Sequence, residues 1–243
     1  MDTMRHDARV SQILLVDDAS ALADLFAAAI HDRLGHDVSV LVSLRDVDSE
    51  LDRIAIDLAI VDLSFPREDG SGLDALATIS RRSPDTTLAI ITQGDEWVAQ
   101  LLRDAWELLP IATVISKSAP LSYQLAAIEQ TISVGGAHID PAIQPLLPAH
   151  RPAYRTPARF ASLVQHQGHA KLWVALMGTP DPTYRAVADA SGLKLNTVKN
   201  YRAQLLPELS VHGLVDPSLK EMGEFALRCR AFLEPYLELQ RSG

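Results

Sequence analysis

The chain of 243 residues, 47% of them hydrophobic, can supply one large or two ordinary domain cores, and its single cysteine, Cys229, excludes an intrachain disulfide and a cysteine-rich zinc site. The net charge of -9 divides unevenly: residues 1–150 hold ten Lys/Arg and twenty-three Asp/Glu, a balance of -13, whereas residues 151–243 hold twelve and eight, a balance of +4. The acidic half disfavours nucleic acid and suits a cation, while the mildly basic half is permissive for DNA.

No window offers eighteen uninterrupted apolar residues, and the first thirty residues carry no basic region followed by a long apolar core. A soluble, cytoplasmic chain with no membrane partner is therefore expected. Residues 1–11 are polar and expected to fray. Gln12 to Val16 reads as a buried strand ending in Asp17-Asp18, and Ala19 to Leu34 places Leu22, Leu25, Phe26, Ala29 and Ile30 at helical spacing before Gly35. Val38–Val42 repeats the strand signal and Leu44–Ile54 is a weaker helix. Leu58–Val61 is a third strand, followed by Asp62 and, four residues later, by Pro66. Leu73–Ser80, Thr87–Ile91, Trp97–Leu108, Ile111–Ile115 and Leu121–Ser133 continue the alternation to a fifth strand and fifth helix. Repeated alternation of this kind predicts an α/β domain, a (βα)5 doubly wound parallel sheet with helices on both faces.

In such a sheet the polar residues that follow the strands converge on one edge. Here these are Asp17 and Asp18 after strand one, Asp62 after strand three, Thr92 after strand four and Lys117 after strand five. An isolated aspartate at a strand end is more often a turn residue or helix cap; the ordered set is what points to chemistry. Three carboxylates placed together repel one another unless a cation neutralises them, and an all-oxygen, partly hydrated pocket is what Mg2+ prefers. A hydroxyl and an ammonium add the donors that a transferred phosphoryl group needs, which makes Asp62 the expected phosphoacceptor.

Over about residues 11–136 this constellation resembles the receiver domain of two-component response regulators. The matching pieces are Asp17-Asp18, Asp62 with Pro66, Asp69-Gly70, Ile90-Ile91-Thr92 and Ile115-Ser116-Lys117-Ser118. The resemblance implies that Asp62 takes a phosphoryl group from the phosphohistidine of a sensor histidine kinase, or from a small phosphodonor. It also implies that Asp17, Asp18, Asp62 and the backbone carbonyl of Ser64 hold Mg2+, and that Thr92 and Lys117 bind phosphoryl oxygens. Two positions depart from the family. Val114 stands where a Tyr or Phe is frequent, and Gln93 is bulkier than the small residue usual after the threonine.

Gly135-Gly136 closes the fifth helix, and Pro141, Pro145, Pro148, Pro152 and Pro157 follow, which excludes a long helix or a central strand. The expected division is a receiver over 1–136, a proline-rich linker over 137–157 and a second domain over 158–243. His138, His150, His166 and His169 lack a compact ligand spacing and are expected to face solvent rather than a metal.

Beyond the linker the pattern is helical throughout, so an all-α domain is expected. Arg159–Gln165, Ala170–Met177 and Tyr184–Ala190 are short amphipathic segments, and Ser191-Gly192 interrupts the chain before Leu195–Leu206. Two helices joined by a short turn containing glycine form a helix-turn-helix pattern. Asn196 is the expected N-cap of the second helix. Val198, Tyr201/Arg202 and Leu205 form its expected buried stripe, with Thr197, Lys199, Asn200, Ala203 and Gln204 mainly outside. Lysine and asparagine side chains can contact guanine and adenine edges respectively. Residues 187–202 resemble the DNA-binding domain of LuxR-type regulators through Thr197-Val198-Lys199. The resemblance assigns double-stranded DNA contact to Lys194, Asn196, Thr197, Lys199, Asn200 and Arg202. Leu219–Leu239 carries an apolar stripe through Leu219, Met222, Phe225, Ala226, Cys229, Phe232, Leu233 and Tyr236 that must bury against something, with Pro235 expected to kink or end the helix.

The leading expectation is a response-regulator transcription factor, not an enzyme acting on an external substrate, in which phosphorylation at Asp62 modulates homodimerisation and DNA binding. An alternative makes the receiver a constitutive dimer or docking module that ignores phosphate, as Val114 and Gln93 suggest. A Mg2+-dependent phosphohydrolase resembling the haloacid-dehalogenase group would need a second aspartate two residues after the nucleophile, where Ser64 stands.

Overall fold

The computed structural model describes residues 10–241, so most of the segment expected to fray lies outside the described residues. The chain forms two compact units. The first runs through residue 149, except for residues 107–109, which group with the second unit from residue 150 onward.

The first unit is a parallel sheet of order β2-β1-β3-β4-β5-β6. Its strands are β1 (Gln12–Val16), β2 (Asp37–Leu41), β3 (Leu58–Asp62), β4 (Thr87–Thr92), β5 (Ile111–Ser116) and β6 (His138–Ile139). Helices α1 (Ser20–Leu34), α2 (Val47–Arg53), α3 (Gly72–Arg82), α4 (Ala99–Leu108) and α5 (Leu121–Val134) connect them. All five residues of β3 are buried, as a central strand covered on both faces requires. Ile13, Leu15, Ile30, Leu58, Ile60, Ile91, Ile115 and Ile128 join one core cluster.

The sixth strand departs from the five-strand expectation. Residues 137–149, expected as linker, belong to the first unit, and His138 and Ile139 pair with Thr113 and Val114 on the outer edge of β5. A two-residue edge strand followed by Pro141 is compatible with the proline content, because proline is tolerated where no further ladder bond is needed.

The turn into α3 depends on Gly72. A Cβ there would lie 2.7 Å from the Asp62 carbonyl carbon and 2.8 Å from the Leu63 Cα, closer than non-bonded atoms approach. Glycine thus lets α3 start directly against the end of β3. Ser71 and Asp74 complete the start with a capping box.

The second unit is all helical: α6 (Gln167–Met177), α7 (Tyr184–Ser191), α8 (Leu195–Val211), α9 (Leu219–Arg228) and α10 (Arg230–Arg241). The segment expected as a helix over Arg159–Gln165 is instead a 3-10 stretch over Pro157–Leu163. Its core is aromatic. Phe160 stacks with Phe232 at 5.2 Å and with Phe225 at 5.9 Å, and the buried Trp173 indole donates to the Leu163 carbonyl at 2.8 Å.

One proline expectation is narrowed: Pro235, expected to kink or end its helix, does not end it. It lies inside α10, and α8, expected to end at Leu206, runs on through Pro207 to Val211. The break in the last helical stretch falls at Cys229, whose carbonyl accepts from the Phe232 and Leu233 amides. With that break, Leu219, Met222, Phe225, Ala226, Cys229, Phe232 and Leu233 are all buried within this unit. One histidine expectation changes: His169 is buried at 2% exposure, whereas His166 is exposed as expected and caps α6 by accepting from the Gly168 and His169 amides. No helix among the described residues is long and apolar enough to cross a membrane.

Replacing Gly72 by alanine is expected to lower the unfolding free energy of the first unit by ~3 kcal/mol, read from urea denaturation. A change within about 0.5 kcal/mol of wild type would mean that α3 can retreat from β3 at little cost.

Candidate functional site

The carboxyl edge of the sheet gathers the strand-end residues that the sequence singled out. Asp17 leaves β1 buried, and its Oδ1 accepts from the Ala19 amide at 3.0 Å, which fixes the turn into α1. Asp62 ends β3 at 4% exposure, paired in register with Ile91 on β4. Asp18 is half-buried beside them. One carboxylate oxygen from each of these three residues lies within 4.8 Å of the others, the only such cluster of His, Cys, Asp or Glu groups among the described residues. The set contains oxygen donors alone, without nitrogen or sulfur, and so fits a hard divalent cation better than zinc or copper.

Lys117 enters this pocket from the end of β5. Its Nζ donates to Asp62 Oδ2 at 2.9 Å and stands 2.7 Å from Asp17 Oδ2. Burial is the largest influence on Asp62 and raises its carboxyl above the usual carboxylate range, against the opposing pull of Lys117 and a hydrogen bond from the Ser64 amide. Burial also pulls the Lys117 ammonium down, but the hydrogen bonds and charges of Asp17 and Asp62 together outweigh it and leave the group raised. Lys117 is thus the shared counterion of Asp17 and Asp62.

Thr92 is 1% exposed, and its hydroxyl accepts from the Gly94 amide at 3.2 Å. Its carbonyl accepts from the Lys117 amide at 2.8 Å, so the ends of β4 and β5 are tied together beside Asp62. Gln93 is exposed. Val114 is fully buried, with its carbonyl bound to the Asp140 amide.

Two residues that support the site were not found by sequence reasoning. Gly72 allows the close approach described above. Gln124 is buried on α5, and its Nε2 lies within hydrogen-bond distance of the Ser116, Lys117 and Ala119 carbonyls at 3.1, 3.2 and 2.9 Å. That amide fixes the loop that carries Lys117. The available signal was a glutamine in the first turn of an otherwise apolar helix face.

In the second unit, α7 ends on Gly192 in the left-handed conformation, and a three-residue turn leads to α8. Val198 and Leu205 are buried as expected, and Tyr201 and Arg202 are half-buried. Asn196 is not the cap; Lys194 holds that position, and no side chain completes it. Lys194, Asn196, Lys199 and Asn200 are exposed, and Thr197 is half-buried. Lys199 Nζ lies 5.6 Å over the Tyr184 ring. Arg202 does not stand free: it donates to the Pro217 carbonyl at 2.7 and 2.9 Å and to the Asp216 carboxylate at 2.7 Å.

Comparison with known proteins follows the same division. The response regulator receiver domain family matches residues 13–118. One relative, the methanol utilization control regulatory protein MoxX of Paracoccus denitrificans, is 26% identical over 222 residues, covering 90% of this chain and 94% of MoxX. Among solved structures, a LuxR-family two-component response regulator from Aurantimonas sp. SI85-9A1 is 20% identical with a TM-score of 0.49, covering 56% of this chain and 94% of that one. A structure of two RcsB dimers bound to two parallel DNAs is 14% identical with a TM-score of 0.48, covering 95% of this chain and 98% of that one. The acidic pocket of the first unit lies inside the stretch that matches the response regulator receiver domain family, and an all-helical region follows that stretch.

Proposed function

We propose that the chain is a cytoplasmic two-component response regulator in which Asp62 accepts a phosphoryl group and the helical unit binds double-stranded DNA. The observation that carries the first part is the Lys117 bridge to Asp62 inside the three-carboxylate pocket. A desolvated carboxylate is a better nucleophile than a hydrated one, and the Lys117 charge opposes the rise that burial imposes on Asp62. Asp62 attacks the phosphorus of a kinase phosphohistidine or of a small phosphodonor. With phosphohistidine the phosphorus–nitrogen bond breaks, the imidazole leaves with its electron pair, and Asp62 becomes an acyl phosphate. Mg2+, held by Asp17, Asp18, Asp62 and the Ser64 carbonyl, would neutralise charge on the transferring oxygens. Lys117 and the Thr92 hydroxyl then donate to the oxygens of the product.

The second part rests on the exposed start of α8. Asn196, Lys199 and Asn200 are exposed at the i, i+3, i+4 spacing of one helix face, Lys194 is exposed just before the helix, and Thr197 is half-buried. A recognition helix enters the major groove with its N-terminal residues foremost, where lysine and asparagine reach base edges or phosphates. Homodimerisation would place two such helices about one DNA turn apart and favour an inverted-repeat site. Arg202 has a bracing role in this reading, because its guanidinium is held by Asp216 and Pro217.

A second reading keeps DNA binding but makes the receiver a constitutive dimer or docking module. The buried Val114 favours it, since its carbonyl is tied to Asp140 and its side chain is fully enclosed.

Incubation with Mg2+ and acetyl phosphate should add one phosphoryl group to wild type and none to Asp62→Asn; labelling that survives the substitution places the acceptor elsewhere. In footprinting on genomic fragments, Lys199→Ala and Asn200→Ala should each cost about 1–3 kcal/mol of site-specific affinity, roughly 5–150-fold. Arg202→Ala should instead act mainly through stability. Equal affinity and oligomeric state with and without phosphodonor would favour the constitutive reading. A raised carboxyl pKa contributes stability below the unfolded value and loses it as pH rises through the folded value. In chelator-treated protein at neutral pH, Asp62→Asn should therefore raise the urea midpoint; a lower midpoint would mean that pairing with Lys117 outweighs desolvation.

A further inference from the structure

Residues 138–147 form a strap whose contacts lead back to the phosphoacceptor edge within the first unit. It begins at β6 on the edge of β5, where the Asp140 amide donates to the Val114 carbonyl at 2.9 Å. Asp140 then locks a turn. It is 4% exposed, its Oδ1 accepts from the Ala142 amide at 2.8 Å, and its carbonyl accepts from the Ile143 and Gln144 amides at 2.9 and 3.0 Å. That turn drives Ile143 into the unit at 2% exposure.

The place where Ile143 lands connects the strap to the site. Gly94 has φ +79, and a Cβ built there would lie 2.7 Å from Ile143 Cδ1 and 3.4 Å from Leu146 Cδ1. The strap therefore closes directly on the backbone of the loop after β4. The amide of the same glycine holds the Thr92 hydroxyl, and the Leu146 carbonyl accepts from Arg103 of α4 at 3.3 Å. Thr92 lies one residue beyond Ile91, the register partner of Asp62. A hydroxyl that turns toward an oxygen on Asp62 gives up its bond from Gly94, and Gly94 has no side chain to buffer the change before it reaches Ile143. Close-packed contacts of this kind shift between discrete arrangements rather than deform smoothly.

We propose that the 138–147 strap is an intramolecular latch that is seated when Asp62 is free and released when a phosphoryl group draws in Thr92. The latch rests on the phosphoacceptor reading of Asp62. Its C-terminal end leads in sequence to residue 150, where the second unit begins. The latch is thus a means by which the chain itself carries the state of one unit toward the other. Thermodynamic reciprocity follows: if occupancy of the Asp62 site releases the strap, loosening the strap must tighten that site.

The test uses the full chain with Mg2+ and beryllofluoride, a phosphoryl analogue, so that equilibrium affinities are compared. Hydrogen exchange of the Asp140, Ile143 and Gln144 amides should accelerate at least about fivefold on saturation, and Asp62→Asn should show neither binding nor acceleration. Ile143→Ala should bind beryllofluoride about fivefold more tightly than wild type. Arg103→Ala, a surface change that leaves the core intact, should shift affinity in the same direction by a smaller factor. Tight binding with unchanged strap exchange, or unchanged affinity in both folded variants, overturns the latch and leaves Asp62 as acceptor. Absence of binding to wild type overturns the acceptor reading and the latch together.

Discussion

Lys117 places one ammonium 2.7 Å from Asp17 and 2.9 Å from Asp62, inside a pocket where a third carboxylate, Asp18, stands close by. Like charges this near one another and this poorly hydrated would protonate or force the strand ends apart without a counterion. The lysine is held in turn by backbone and side-chain contacts. Its amide is bound to the Thr92 carbonyl, and Gln124 ties down the carbonyls around it. The pocket therefore depends on the registration of β4 with β5 and on the first turn of α5 as much as on the carboxylates themselves.

The same edge explains why so much of the first unit was readable. A central strand buried on both faces must be apolar throughout, so Leu58–Val61 announces itself, and the carboxylate that ends it stands out by contrast. Asp17, Thr92 and Lys117 are each unremarkable alone and become informative only because parallel strands align their carboxyl ends. What the sequence concealed is of a different kind. Gln124 works through backbone carbonyls, Gly72 through a clearance between two chain segments, and β6 through only two paired residues. None of these leaves a periodic pattern. The stretch with Pro141 and Pro145 reads as linker, yet the apolar Ile143 between them is buried.

In the second unit the pattern reading found the helices and misplaced their ends. The misreadings share a cause: local propensity was overridden by what the core required. Pro207 is exposed, so the carbonyl that it frees lies toward solvent, and α8 continues to Val211. The break at Cys229, by contrast, has no breaker residue; it allows Phe225 and Phe232 both to reach Phe160. His169 is drawn inward against Tyr201, with the rings edge-on at 5.0 Å, because α6 and α8 meet there. Tertiary demands of this sort carry no signature in a window of neighbouring residues.

Arg202 has a consequence for ionic strength. Asp216 takes the uncommon left-handed backbone conformation, φ 47, within the turn that binds the single arginine of α8. If that helix binds DNA, few of its cations remain to displace counterions, and each phosphate contact contributes a slope of only about -0.9 to the logarithmic salt dependence. Complexes made through such a helix would tolerate salt comparatively well. They would also be weak singly, so occupancy of an operator would be governed by how many copies can engage it at once.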